Sequence, residues 1–136
     1  MHLIMDGHSD NIELMTDRDM MRKFMRETVA LADMSPFGEP YCQGYPWAGS
    51  EDWSALTCFQ PLGESGLVIH TFPEKQFVFI DLFSCKDFKV GAVEGHIVRS
   101  FRMRRCKVVV LGRGINKDGS IIPAYVISNS DKEYGI

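Results

Sequence analysis

The sequence predicts an α+β fold: a two-layer α/β sandwich, a mostly antiparallel sheet with two helices on one face. Three observations lead there. Short strand-like runs are separated by turn signals, two segments carry a helical period, and the run 76–84 is apolar on both of its faces. A length of 136 residues fits one domain, expected to span 1–136. With 45% apolar and 24% charged residues the chain has an ordinary globular mixture, which excludes disordered and collagen-like classes. A formal charge of −3 argues against a nucleic-acid groove binder, which would carry a basic excess. The longest apolar run, Val108-Val109-Val110-Leu111, is far short of a membrane span.

His2 to Gly7 reads as an opening strand. Thr16 is placed to cap a helix, with Asp17 and Asp19 at its positive end and apolar positions at Met20, Met21, Phe24, Met25, Val29 and Ala32. The stretch from Met34 to Trp53, with Pro36, Pro40, Pro46 and several aromatics, reads as one long loop. Ala55 to Phe59 and Gly66 to Phe72 read as strands around a turn at Pro61-Leu62-Gly63. Pro73-Glu74-Lys75 then turns the chain into Gln76 to Ser84.

In that last run Phe77, Phe79, Asp81 and Phe83 share one face, and Val78, Ile80, Leu82 and Ser84 the other. Two apolar faces imply a strand covered on both sides, and Asp81 needs a polar partner. A second helix is expected from Val90 to Met103, with Arg99, Arg102, Arg104 and Arg105 towards its end. A strand follows at Lys107 to Leu111, stopped by Gly112-Arg113-Gly114, and Ile121 to Ile127 forms one more before a polar tail.

The start Met1-His2-Leu3-Ile4-Met5-Asp6 has no basic leader region. The four cysteines form no C-x-x-C pair, so a cytoplasmic protein with reduced thiols and no metal site is expected. Chemistry concentrates in Gly63-Glu64-Ser65-Gly66 through Glu74, followed by Asp81-Leu82-Phe83-Ser84-Cys85. A serine, a histidine five residues on, a cysteine and two acids are compatible with a Ser-His-Asp hydrolase, although the G-x-S-x-G elbow is absent. They are compatible with a Cys-His pair as well, and spacing does not decide between them.

The string Glu64-Ser65-x-x-x-Ile69-His70-Thr71-Phe72-Pro73-Glu74, then Asp81-x-Phe83-Ser84-Cys85, resembles the prokaryotic pyruvoyl-dependent S-adenosylmethionine decarboxylase proenzymes. The likeness extends back through Glu51-Asp52-Trp53 and forward through Lys86-Asp87-Phe88 to Arg113-Gly114. Gly66 and Phe72 stand where that family often has histidine and tryptophan. The resemblance implies a zymogen that cleaves itself at Glu64–Ser65, leaving a β chain, 1–64, and an α chain, 65–136. Ser65 would become the covalent pyruvoyl group, whose ketone condenses with the substrate amine and takes up electrons as CO2 leaves.

It further implies His70 and Thr57 as processing residues, with threonine where serine is usual, and Cys85 as proton donor. Glu74 would hold the ribose hydroxyls. Tyr45, Trp47 and Trp53 are the candidate aromatics for the adenine. A homodimer, formed through the free sheet face or edge with the active site near the interface, and a role in polyamine (spermidine) biosynthesis follow from the same resemblance. The rival readings are a pyruvoyl-dependent decarboxylase of arginine or ornithine, and an unprocessed, non-catalytic homologue.

Overall fold

A computed structural model describes residues 1–46 and 49–135. Seven strands form one antiparallel sheet: β1 (His2–Ser9), β2 (Tyr41–Tyr45), β3 (Ala55–Leu62), β4 (Ser65–Phe72), β5 (Phe77–Ser84), β6 (Met103–Ile115) and β7 (Ile121–Glu133). Their order across the sheet is β2-β3-β4-β5-β1-β6-β7, so β1 is inserted between β5 and β6. Among the described residues there are three α-helices, not two: α1 (Ile12–Thr16), α2 (Arg18–Leu31) and α3 (Val90–Phe101).

The helices share one face of the sheet. Alternate strand residues, among them Leu3, Met5, Leu67, Ile69, Val78, Ile80 and Leu82, are buried in one cluster with Met21, Phe24, Met25, Val93, Ile97 and Phe101 of the helices. Thr71, buried in this layer, donates to the Met15 carbonyl and accepts from the Leu56 amide, each at 2.8 Å. That one hydroxyl ties the end of α1 to β3 and β4 without leaving an unmet polar group.

Several local expectations are corrected. Thr16 closes α1 instead of capping α2; the cap is Asp17, whose carboxylate accepts from the Met20 amide at 2.9 Å. The stretch 34–53 contains β2, short and proline-flanked, which pairs with β3 from Tyr41↔Phe59 to Tyr45↔Ala55. Pro61 and Leu62 belong to β3, so the turn is Gly63-Glu64.

The second helix ends at Phe101. Arg102 takes the left-handed position after it, with φ 49°, and Arg104 and Arg105 lie in β6, paired with Asp10 and Glu133. Gly112-Arg113-Gly114 does not stop β6, which continues to Ile115, and β7 continues to Glu133. Tyr125 lies opposite Gly112, and a β-carbon there would fall inside the tyrosine ring. Glycine there makes room for the tyrosine ring rather than forming a turn.

Within one chain the second sheet face is open, so β5 is covered on one side only. Phe59 and Phe79 stay 45% and 39% exposed on the open face. Asp81 finds its partner there: His2 Nε2 lies 2.9 Å from its carboxylate.

Candidate active site

The turn between β3 and β4 is held from both sides. Leu62 and Ser65 are the last register pair, leaving Gly63 and Glu64 as a two-residue connection. On one flank the Gly63 amide donates to the Ser35 carbonyl at 2.9 Å and the Phe37 amide to the Pro61 carbonyl at 3.0 Å. On the other, β5 delivers Ser84, the register partner of Ser65, and then Cys85.

Glu64 has φ 62°. A residue with a β-carbon in the left-handed region costs about 1–2 kcal/mol, and such strain persists only where the surroundings impose it. The Cys85 amide donates to the Glu64 carbonyl at 2.9 Å. Ser65 Oγ lies 2.8 Å from Ser84 Oγ, which also accepts from the Lys86 amide at 3.1 Å. The Glu64–Ser65 peptide therefore combines a strained residue, a carbonyl polarised by a fixed N–H and an adjacent hydroxyl whose position is set. Those are the elements an acyl shift from nitrogen to oxygen needs. Cys85 itself is exposed beside this bond, whereas Cys42, Cys58 and Cys106 are buried. Burial pushes the Cys106 thiol up to about 12, and the hydrogen bond with Cys42, then burial, raises that of Cys58.

A second group lies further along β4. Thr57 and His70 are register partners across β3 and β4, with Thr57 Oγ1 3.3 Å from His70 Nδ1. His70 in turn opposes Phe79. Beyond them Glu74 sits in a single 3-10 turn, Pro73–Lys75. It borders an open cleft of about 650 Å³ lined by His8, Phe72, Glu74, Lys75, Phe77 and Phe79. Phe72 and Phe79 meet edge to face with centroids 5.5 Å apart.

One chain does not bring the two groups together. Ser65 and His70 are five residues apart on a strand, roughly 17 Å at about 3.4 Å per residue. An odd separation also sends their side chains to opposite faces: Ser65 lies in the series of Leu67 and Ile69, which is buried under the helices, and His70 lies on the open face. Of the candidate aromatics, Trp53 is 58% exposed in the connection before β3. Tyr45 ends β2 opposite Ala55, and burial raises its phenol. Trp47 lies outside the described residues.

Sequence reasoning missed the rings that do line the Glu74 cleft, Phe72, Phe77 and Phe79. The alternation of 76–84 already placed two of them on the face of Asp81, and Phe72 stands where the family often has tryptophan. It also gave Ser84 no part, although the residue lies in the same motif as Cys85.

Among known proteins, the sequence pattern of the S-adenosylmethionine decarboxylase family matches residues 1–114. The S-adenosylmethionine decarboxylase proenzyme of Archaeoglobus fulgidus is 28% identical over 83% of this chain and 96% of its own length. The proenzyme of Symbiobacterium thermophilum is also 28% identical, over 76% of this chain and 80% of its own. The crystal structure of the adenosylmethionine decarboxylase from Aquifex aeolicus has the same fold, with a TM-score of 0.68 at 18% identity, covering 88% of this chain and 93% of that one. Fold and motif thus define a decarboxylase proenzyme. This chain belongs to the S-adenosylmethionine decarboxylase family. Residues 115–136, which carry β7, lie beyond the family match.

Proposed function

We propose that this protein is a self-processing decarboxylase of S-adenosylmethionine, cut between Glu64 and Ser65 into chains 1–64 and 65–136. It would supply the aminopropyl donor for spermidine and other polyamines. The observation that carries the reading is the Glu64–Ser65 turn, where the Cys85 amide contacts the carbonyl and Ser84 holds the hydroxyl. Family membership favours S-adenosylmethionine over arginine or ornithine as substrate.

Ser65 attacks the Glu64 carbonyl, and the developing oxyanion is met by the Cys85 N–H. The amide becomes an ester as the hydroxyl proton passes to the Ser65 nitrogen. Loss of the Ser65 α-proton and of the ester oxygen then leaves dehydroalanine, which water converts to the pyruvoyl ketone with release of ammonia. These residues fit the group, because a serine stands at the required position with its acyl partner already polarised. Once formed, the pyruvoyl group acts as electron sink for loss of CO2.

In this reading Cys85, exposed next to the new terminus, returns a proton to the product carbon. Glu74 takes the ribose hydroxyls, and an aromatic stacks on the adenine. The Phe72, Phe77 and Phe79 cleft beside Glu74 offers rings for that stacking.

The distance between Ser65 and the His70–Thr57–Glu74 group favours a homodimer in which a second copy completes the site, and the open apolar sheet face offers it a surface. No helix among the described residues is long and apolar enough to cross a membrane. A cytoplasmic location is part of the proposal. Intact-mass spectrometry of the purified protein, joined to CO2 release from S-adenosylmethionine, arginine and ornithine, tests the reading. Two chains, a pyruvoyl terminus and release from S-adenosylmethionine are expected. An intact chain would support a non-catalytic homologue, and release from arginine or ornithine alone would replace the substrate.

A further inference from the structure

Ser84 interrupts a buried apolar series. Val78, Ile80, Leu82 and Ser84 all have no exposed surface, and a fourth apolar side chain would continue the pattern without a polar group to satisfy. The serine is held with unusual completeness. Its backbone pairs with Ser65 on one side. On the other its amide donates to the Met1 carbonyl at 2.9 Å, and its carbonyl accepts from the Met1 amine at 2.6 Å. The hydroxyl has two contacts, the Lys86 amide at 3.1 Å and Ser65 Oγ at 2.8 Å. The backbone bonds continue the two sheet ladders, but apolar packing does not account for the hydroxyl, since burying one is costly unless its bonds are used.

We propose that Ser84 is a positioning residue for self-cleavage: its hydroxyl fixes Ser65 Oγ for attack and afterwards holds that same oxygen in the new carboxylate of Glu64. The proposal rests on the reading of Glu64–Ser65 as the cleaved bond.

The fate of the atoms supports it. In the first step Ser65 Oγ bonds to the Glu64 carbonyl carbon, the carbon–nitrogen bond breaks and the proton moves to nitrogen. In the second the Ser65 α-proton is lost to a base, its bonding pair forms the double bond between the α- and β-carbons, and the bond from the β-carbon to Oγ breaks with both its electrons leaving on the oxygen. Oγ thus ends as one of the two carboxylate oxygens of Glu64, and the other is the original carbonyl oxygen already bonded to the Cys85 amide. One hydroxyl and one N–H therefore face both oxygens before and after the cut. Ser84 accepts from a hydroxyl at the start and donates to a carboxylate at the end. Only a rotating O–H can do both while the Lys86 amide occupies another of its positions.

The test compares self-cleavage rates of full-length proenzymes carrying Ser84→Ala, Ser84→Val and Ser84→Thr with the unaltered chain, read as band conversion on denaturing gels. Valine and threonine have nearly one shape and differ by the hydroxyl, so packing moves both alike. Loss of the hydroxyl should slow cleavage by about tenfold or more in Ala and Val, with Thr within about threefold of the unaltered rate. Thermal melts in a Ser65→Ala background, where nothing can cleave, show whether each variant folds. A Val variant that folds and cleaves at the unaltered rate overturns the role of Ser84, as does a Thr variant as slow as Val. If the unaltered chain itself never cleaves at Glu64–Ser65, the underlying reading fails, and this inference with it.

Discussion

Thr57 Oγ1 and His70 Nδ1 lie 3.3 Å apart across β3 and β4, a contact made between two strands by residues in direct register. The threonine hydroxyl sets the orientation of the ring. Thr57→Val keeps the shape and removes the hydroxyl, and should slow processing by about tenfold if a net hydrogen bond to the ring is lost. Thr57→Ser should process as the unaltered chain does. Conversion on denaturing gels over time separates the two outcomes, and equal rates for Val and Ser would remove Thr57 from processing.

Because Ser65 and His70 occupy opposite faces of β4, complementation between inactive chains is expected. A Ser65→Ala chain has an intact His70, and a His70→Ala chain an intact Ser65. Expressed alone, neither should cleave; expressed together, the His70→Ala chain should be cut within mixed dimers. Differently tagged chains make this visible on a gel. Persistence of both intact chains in a proven mixed dimer would exclude a site shared between copies.

The cysteines should divide sharply under alkylation of the native protein. Cys85 is exposed and should label, while Cys42, Cys58 and Cys106 should label only after unfolding. For Cys106 the barrier is chemical as well as steric, since its thiol is pushed up to about 12 and little thiolate forms near neutrality. Peptide mapping with a small alkylating agent reads this directly. Cys85→Ala should still cleave but decarboxylate about 100-fold more slowly or worse, in line with the loss of a general acid.

A pH dependence follows from Asp6. Desolvation, and then the nearby Asp81 charge, raise its carboxyl above the ordinary 3.8. A raised folded-state value means that the folded chain holds the proton more tightly than the unfolded one. Any stability so gained is complete at pH below the ordinary value and is lost as pH rises through the folded value. Asp6→Asn should therefore melt higher than the unaltered chain near neutrality, with the difference vanishing in acid. Thermal melts across pH, monitored by circular dichroism, give both curves.

The elements that depend on period alone were legible in the sequence: β1, the body of α2, β5 with its two faces and most of α3. The misjudged ones turn on tertiary partners. β2 is five residues among prolines, and it becomes a strand because β3 offers an edge. Pro61 stays in β3 although proline usually punctuates a turn, and Gly112 stays in β6 because Tyr125 fills its place. The motif led directly to Ser65, Cys85, His70 and Glu74. That Ser65 and His70 take opposite faces of β4 follows from their odd spacing only once Ser65, and not Gly66, is seen to open the strand. Nor could the motif single out Ser84, whose meaning appears only when β4 and β5 are laid side by side.

The position of β1 bears on what a cut at Glu64–Ser65 would leave behind. The N-terminal piece would own β1, β2 and β3, and the C-terminal piece β4 to β7. In the sheet, however, β1 is threaded between β5 and β6, while β3, with β2 outside it, borders β4. The fragments would interlock like the fingers of two hands, and parting them would require three complete ladders to open, β3–β4, β5–β1 and β1–β6. Such a nicked protein should travel as one particle in gel filtration and fall into two only in denaturant. Backbone scission could then be irreversible chemically while remaining nearly silent mechanically.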